Sequence, residues 1–177
     1  HMGGVGVNAE AALAFGGEAP PGSTDQAITE SFNGTSWTEV ADMNDGIRQM
    51  GSLGTYTSAL CAGGNVPSPH TANNESWNGS SWSESGDLNT GRGFFGSTIQ
   101  GSPSAGLVFG ADPPETSNIA LTEDWNGATW QEVADLNTGR GNGIMGTGTA
   151  TAGLAAGCET ATANTGATEE WNQGITT

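Results

Sequence analysis

Lysine is absent from this 177-residue chain, whose entire strongly basic content is Arg48, Arg92 and Arg140. Set against 19 Asp and Glu, this gives a net charge of −16. Such a surface repels nucleic acid and anionic membranes, so neither is expected as a partner. Histidine and tyrosine are almost as scarce: beyond His1 there is only His70, and the one tyrosine is Tyr56. With so few proton carriers, no Ser-His-Asp set assembles unless His70 itself serves. The paired carboxylates Glu123-Asp124 and Glu169-Glu170 are neighbours on strand-type sequence, where adjacent side chains point to opposite faces, and that spoils them for glycoside hydrolysis. The recurrent Asp42, Asp87 and Asp135 lack the dense oxygen spacing of a calcium loop. The expectation is a protein that is not an enzyme and has no cofactor or dedicated metal. Cysteine is limited to Cys61 and Cys158, at different repeat positions, so nothing suggests that they pair and the compartment stays open. No run of about 18 apolar residues exists to form a membrane-spanning helix. Bulky aliphatic residues are also few. Leu, Ile, Val and Phe total 25, or 14% of the chain, a fraction that alone reads as disorder.

What is present overrides that reading. There are six Trp, 30 Gly and a strict internal repeat. Trp77-Asn78-Gly79-Ser80-Ser81-Trp82 returns as Trp125-Asn126-Gly127-Ala128-Thr129-Trp130, with an earlier copy from Phe32 to Trp37 and a worn one from Trp171 to Gly174. A period of this size on strand-type sequence marks a repeat architecture. Gly16, Gly63, Gly110 and Gly157 recur at intervals of 47 residues. In the third repeat, Leu88-Asn89-Thr90-Gly91 forms a turn before Arg92, and a first strand is predicted over 93–99. Ser102-Pro103-Ser104 turns the chain into a second strand over 106–110, and a Pro-containing loop covers 112–118. A third strand over 120–125, an Asn-Gly turn and a fourth strand over 130–134 complete the unit. Four short antiparallel strands per repeat is the anatomy of a propeller blade. The Gly-rich first strands fit innermost strands that converge on an axis.

A strand closing in Gly-Gly (Gly16-Gly17, Gly63-Gly64), a variable loop, an aromatic-bearing strand, a turn and a Trp-led last strand together resemble the kelch repeat. The match covers residues 3–177. The chain is also similar to the degenerate kelch-like arrays of marine bacteria and their phages. It departs from the pattern at Gly110-Ala111 and Gly157-Cys158, and where kelch blades commonly carry Tyr this chain has Phe32, Trp77, Trp125 or Trp171. The resemblance implies an all-β propeller of four-stranded antiparallel blades. Kelch-type copper-radical oxidation would need several His and Tyr ligands and is excluded here. With 1–2 as a tag remnant, the blades fall at approximately 3–43, 44–88, 89–136 and 137–177, the last with an abbreviated outer strand. Four blades in one ring is the favoured arrangement. A fragment of a longer array and half of an eight-bladed ring built by two chains are the alternatives, so the expected state is monomer or homodimer.

Two features bear on function. The three arginines fall at what reads as one repeat position, and would ring the axis on the face that carries the loops between second and third strands. The bland reading ties them to the preceding Asp42, Asp87 or Asp135. The functional reading is a carboxylate or other oxyanion site. The loops themselves differ among repeats and contribute Asp25, His70, Asp112 and Glu115 to a candidate ligand face. Trp37, Trp82 and Trp130 are expected to pack between blades, and the sequons at Asn33 and Asn78 are explained by turn chemistry. These readings combine into a non-enzymatic binding or adhesion module for a protein or glycan ligand. The alternative is an assembly element decorating a virion or cell surface.

Overall fold

Asparagine side chains build the tight turns. Asn33 Oδ1 accepts the N–H groups of Thr35 and Ser36, Asn78 those of Ser80 and Ser81, and Asn126 those of Ala128 and Thr129. Gly34, Gly79 and Gly127 follow at φ of 90°, 95° and 95°, where a side chain would be strained. Each turn joins the third and fourth strands of a small antiparallel sheet. The computed structural model describes residues 2–20, 24–66, 70–98, 102–111, 119–160 and 162–173.

Blade 1 contains β1 (Gly3–Asn8) and β2 (Ala11–Phe15), then a hairpin of β3 (Glu18–Ala19) and β4 (Thr24–Asp25), then β5 (Thr29–Phe32) and β6 (Trp37–Glu39). Blade 2 contains β7 (Gly51–Thr55), β8 (Ser58–Asn65), β9 (His70–Trp77) and β10 (Trp82–Ser85). Blade 3 contains β11 (Gly96–Ser97), β12 (Gly106–Ala111), β13 (Ile119–Trp125) and β14 (Trp130–Glu132). Blade 4 contains β15 (Met145–Thr149), β16 (Ala152–Glu159) and β17 (Asn164–Asn172), and is three-stranded among the described residues. The four sheets are arranged as a four-bladed β-propeller, and none of the described residues is helical.

The first strand of blade 3 is shorter than the 93–99 predicted from sequence. Phe94 adopts a left-handed backbone (φ 57°), which bends the chain just before β11. Gln49 does the same before β7 (φ 57°), so the bend belongs to the repeat. Close approach explains the glycines. A Cβ on Gly51 would lie 2.5 Å from the Phe95 ring of the next blade, and one on Gly146 would lie 2.2 Å from the Ser97 carbonyl. The inner strands are then bridged by serine: Ser52 Oγ donates to the Gly4 carbonyl and Ser97 Oγ to the Ser52 carbonyl.

Among the described residues the core forms three clusters, one per junction between consecutive blades. Phe15, Met50, Cys61 and Trp82 lie in the first, Leu53, Phe95, Val108 and Trp130 in the second, and Leu107, Phe109, Ile144 and Ala155 in the third. Among the described residues, no buried hydrophobic cluster joins blade 4 to blade 1. The tryptophans record this asymmetry. Trp82 and Trp130 are 7% and 5% exposed, whereas Trp37, in the same slot, is 48% exposed.

Candidate functional site

Backbone hydrogen bonds settle which residues are equivalent where the chain passes from one blade to the next. The N–H groups of Gly17, Gly64 and Ala111 donate to the carbonyls of Ile47, Arg92 and Arg140, respectively. The slot shared with Arg92 and Arg140 is therefore filled in the first junction by Ile47, and Arg48 stands one residue further on. The expectation that all three arginines occupy one position is corrected by this one-residue offset.

Two of the three are also interior. Arg92 is 0% exposed and Arg140 2%, so neither forms part of an exposed ring. Arg92 pairs with Glu123 and donates to the Gly110 and Leu121 carbonyls. Burial lowers its pKa from the ordinary arginine value, and the facing Glu123 partly offsets that. Arg140 donates through Nε and Nη2 to Glu169 Oε1 at 2.9 and 2.7 Å, and through Nη1 to the Ala167 carbonyl. In each case the backbone is fastened to one blade while the guanidinium grips the third strand of the next. The side chain is a latch between blades.

The expected partners Asp42 and Asp135 do different work. Each accepts the N–H of a third-strand residue in its own blade, Thr29 and Thr122. The carboxylates that matter are Glu75, Glu123 and Glu169. Each accepts both the backbone and side-chain N–H of an asparagine from the preceding linker, namely Asn44, Asn89 and Asn137. The sequence carried the signal: a glutamate stands two residues before the third-strand aromatic in every repeat, at Glu30, Glu75, Glu123 and Glu169. For Glu169, burial acts to raise the pKa, and the hydrogen bonds from Asn137 and Arg140 outweigh it, leaving the carboxyl below the usual range.

The remaining candidates gather on the face where these linkers meet the loops. Arg48 is part-buried and pairs with Asp25 at 3.0 Å and Glu18 at 3.6 Å, so each of the chain's three arginines is matched to a carboxylate. Beside it, Gln49 Oε1 accepts from Asn65 Nδ2 at 3.1 Å. The His70 ring lies 6.3 Å from that of Phe94. Gln49, Phe94 and Gly143, together with Met2, Met50, Phe95 and Ile144, line a cavity of about 120 Å³ at the mouth of the axis. Asn142 Nδ2 reaches Glu159 at 3.2 Å on the same rim. The predicted Asp112 and Glu115 lie outside the described residues. Sequence reasoning missed Gln49 and Phe94; the only hint was that they immediately precede an apolar residue leading into a Gly-rich strand.

Cys61 and Cys158 are both free. Burial and then Glu75 push the Cys61 thiol well above its ordinary range, which makes it an inert core group. Among the described residues, no helix is long and apolar enough to cross a membrane, and no cluster of three His, Cys, Asp or Glu is placed to hold a metal. A scan against models of protein families matches none of them, and a search of curated proteins likewise returns no match.

Proposed function

We propose that the chain is a kelch-like, non-enzymatic binding module whose ligand face is the mouth of the axis with the loops around it. One observation carries this reading. Left-handed backbone recurs at Gln49, at Phe94 and at the Asn142-Gly143 pair, but the residue types differ from blade to blade, over a cavity of about 120 Å³ lined by Gln49, Phe94 and Gly143. A fixed scaffold with varied display is the usual arrangement of a recognition surface. The chemistry offered is an amide, an aromatic ring and a small residue, rimmed by Asn65, His70 and Asn142. Because every arginine is already matched to a carboxylate, the face suits a neutral polar ligand better than an anion. Support for a non-enzymatic role comes from the scarcity of proton carriers.

A glycan and peptide array probed with wild type and with Gln49→Ala/Phe94→Ala tests the assignment. Loss of about tenfold in affinity, or about 1.4 kcal/mol, is expected in the double variant. Unchanged binding would remove the mouth from consideration. Arg92 and Arg140 variants are unsuitable for this purpose, because they act through the blade latches. A second reading, an assembly element, is favoured by the exposure of Trp37 at one end of the blade series.

A further inference from the structure

The floor and the wall of the axial cavity differ in chemistry. Three blades supply an apolar floor of Met50, Phe95 and Ile144, which are 9%, 8% and 8% exposed. Each belongs to a different junction core, so packing holds all three in place without help from a ligand. Hydrogen bonds set the wall. The Phe94 N–H donates to the Gln49 carbonyl at 3.1 Å and ties two blades together at the rim. Gln49 Oε1 accepts from Asn65 Nδ2, and Asn65 exchanges backbone bonds with Arg48 at 2.7 and 3.1 Å. The side-chain bond orients the Gln49 amide. Its oxygen is occupied, and its Nε2 remains a donor with no partner among the described residues.

A volume of about 120 Å³ falls well below the ~300–1,000 Å³ of a cleft for a drug-sized ligand. The space therefore takes one group of a larger molecule. That group needs an apolar tip for the floor and an acceptor for Gln49 Nε2. The acceptor must be neutral, because a carboxylate would enter a chain of net charge −16 whose three arginines are already paired. A methyl bonded to an amide carbonyl meets both needs. Beside it, the half-buried Phe94 ring offers an apolar face to the C–H side of a sugar ring. A Cβ on Gly143 would meet no atom within 4 Å, so the mouth is open on the blade 4 side and the rest of a glycan can leave there.

We propose that the axial mouth binds neutral N-acetylated sugars. The acetamido methyl rests on Met50, Phe95 and Ile144, its carbonyl oxygen accepts from Gln49 Nε2, and the sugar ring lies against Phe94. This rests on the reading of the mouth as the ligand face and deepens it by naming the group recognised. Two relatives of the ligand are set apart by the same features. Sialic acid carries the acetamido group together with a carboxylate, which the acidic chain repels. Acetylated lysine carries the methyl and the carbonyl but has no ring for Phe94.

Calorimetric titration with N-acetylglucosamine, glucose, N-acetylneuraminic acid and an acetyl-lysine peptide supplies the test. N-acetylglucosamine is expected to bind at least about tenfold tighter than the other three, the discrimination that one buried methyl and its hydrogen bond provide. Gln49→Glu keeps the acceptor for Asn65 and removes the donor, so it should erase the preference over glucose. Phe94→Asn places a residue that tolerates left-handed backbone and removes the ring, so it should erase the preference over the peptide. Far-UV spectra matching the wild type check that both variants are folded. Glucose, N-acetylneuraminic acid or the peptide binding as tightly as N-acetylglucosamine overturns the proposal. So does a folded Gln49→Glu variant that keeps the wild-type preference. If the array finds other ligands that depend on Gln49 and Phe94 while N-acetylglucosamine does not bind, the sugar assignment falls and the ligand face stands. If nothing binds in a way that depends on those residues, both fall.

Discussion

The junction between blades 1 and 2 and the junction between blades 2 and 3 place the same glutamate in the same pocket and satisfy it differently. In both, Oε2 accepts the backbone and side-chain N–H of one asparagine, at 2.8 Å each. At the first junction, Oε1 of Glu75 takes the backbone N–H of Asp45, and the neighbouring slot holds Ile47, which is 1% exposed. At the second, Oε1 of Glu123 takes the guanidinium of Arg92. The asparagine grip is thus the constant part of the latch. The cation is one of two ways to complete it, and an apolar residue fits its slot when a backbone donor takes over. A buried carboxylate needs its lone pairs satisfied and does not require a formal opposite charge.

Breaking the second junction should have the largest effect. Arg92→Met copies the apolar side chain of the first junction without its backbone donor. It leaves Glu123 short of a partner and the Gly110 and Leu121 carbonyls without theirs. A loss of about 3–5 kcal/mol in chemical denaturation is expected, the range for one partner removed from a buried pair. Arg92→Met with Glu123→Gln should recover part of that loss, because the uncompensated charge goes with the second change. If the double variant is as unstable as the single one, charge is not what the arginine contributes.

The first junction should be less sensitive. Glu75→Gln keeps shape and size, but its amide nitrogen must face one of three N–H donors. A cost of about 1–3 kcal/mol is expected from the lost charge-assisted bond. The same change at Glu123 also strands a buried guanidinium and should cost more. Equal losses at the two sites would show that the cation is incidental, and the contrast between the junctions would collapse.

The contrast also marks where the sequence was legible. Blade anatomy was readable because Asn-Gly turns and Gly-closed second strands impose local geometry at fixed spacing, and residues such as Asn78 and Gly79 act within their own hairpin. The latch was only half readable. Arg92, Arg140 and the linker asparagines stood out, but the glutamates they bind lie 29 to 34 residues away on the next blade. The nearby aspartates were the easier guess, and the hydrogen bonds of Asp42 and Asp135 show why it failed: they cap strands of their own blade. The offset between Ile47 and Arg48 was invisible for a related reason. It is set by which carbonyl meets Gly17, a backbone fact with no side-chain signature. The axial mouth was hidden because its defining feature is a left-handed turn at Gln49 and Phe94, residue types that do not announce one.

The third junction extends the comparison to pH and should show the smallest effect. Glu169 is the least enclosed of the three latch carboxylates, and the bonds from Asn137 and Arg140 hold its pKa below the ordinary glutamate value. A carboxyl with a lowered folded-state pKa binds its proton more readily in the unfolded chain, so it stabilises the fold above the unfolded value. That contribution is complete above about pH 4.3 and fades as the pH falls through the depressed folded value. Glu169→Gln abolishes this titration. Between about pH 6 and pH 3, wild type should therefore lose more stability than Glu169→Gln in paired urea denaturations, although both lose some through the remaining acids. Parallel decline in the two proteins would mean that the third latch does not titrate with folding. In that case its strength would rest on the Arg140 bond to the Ala167 carbonyl, which no acid can protonate.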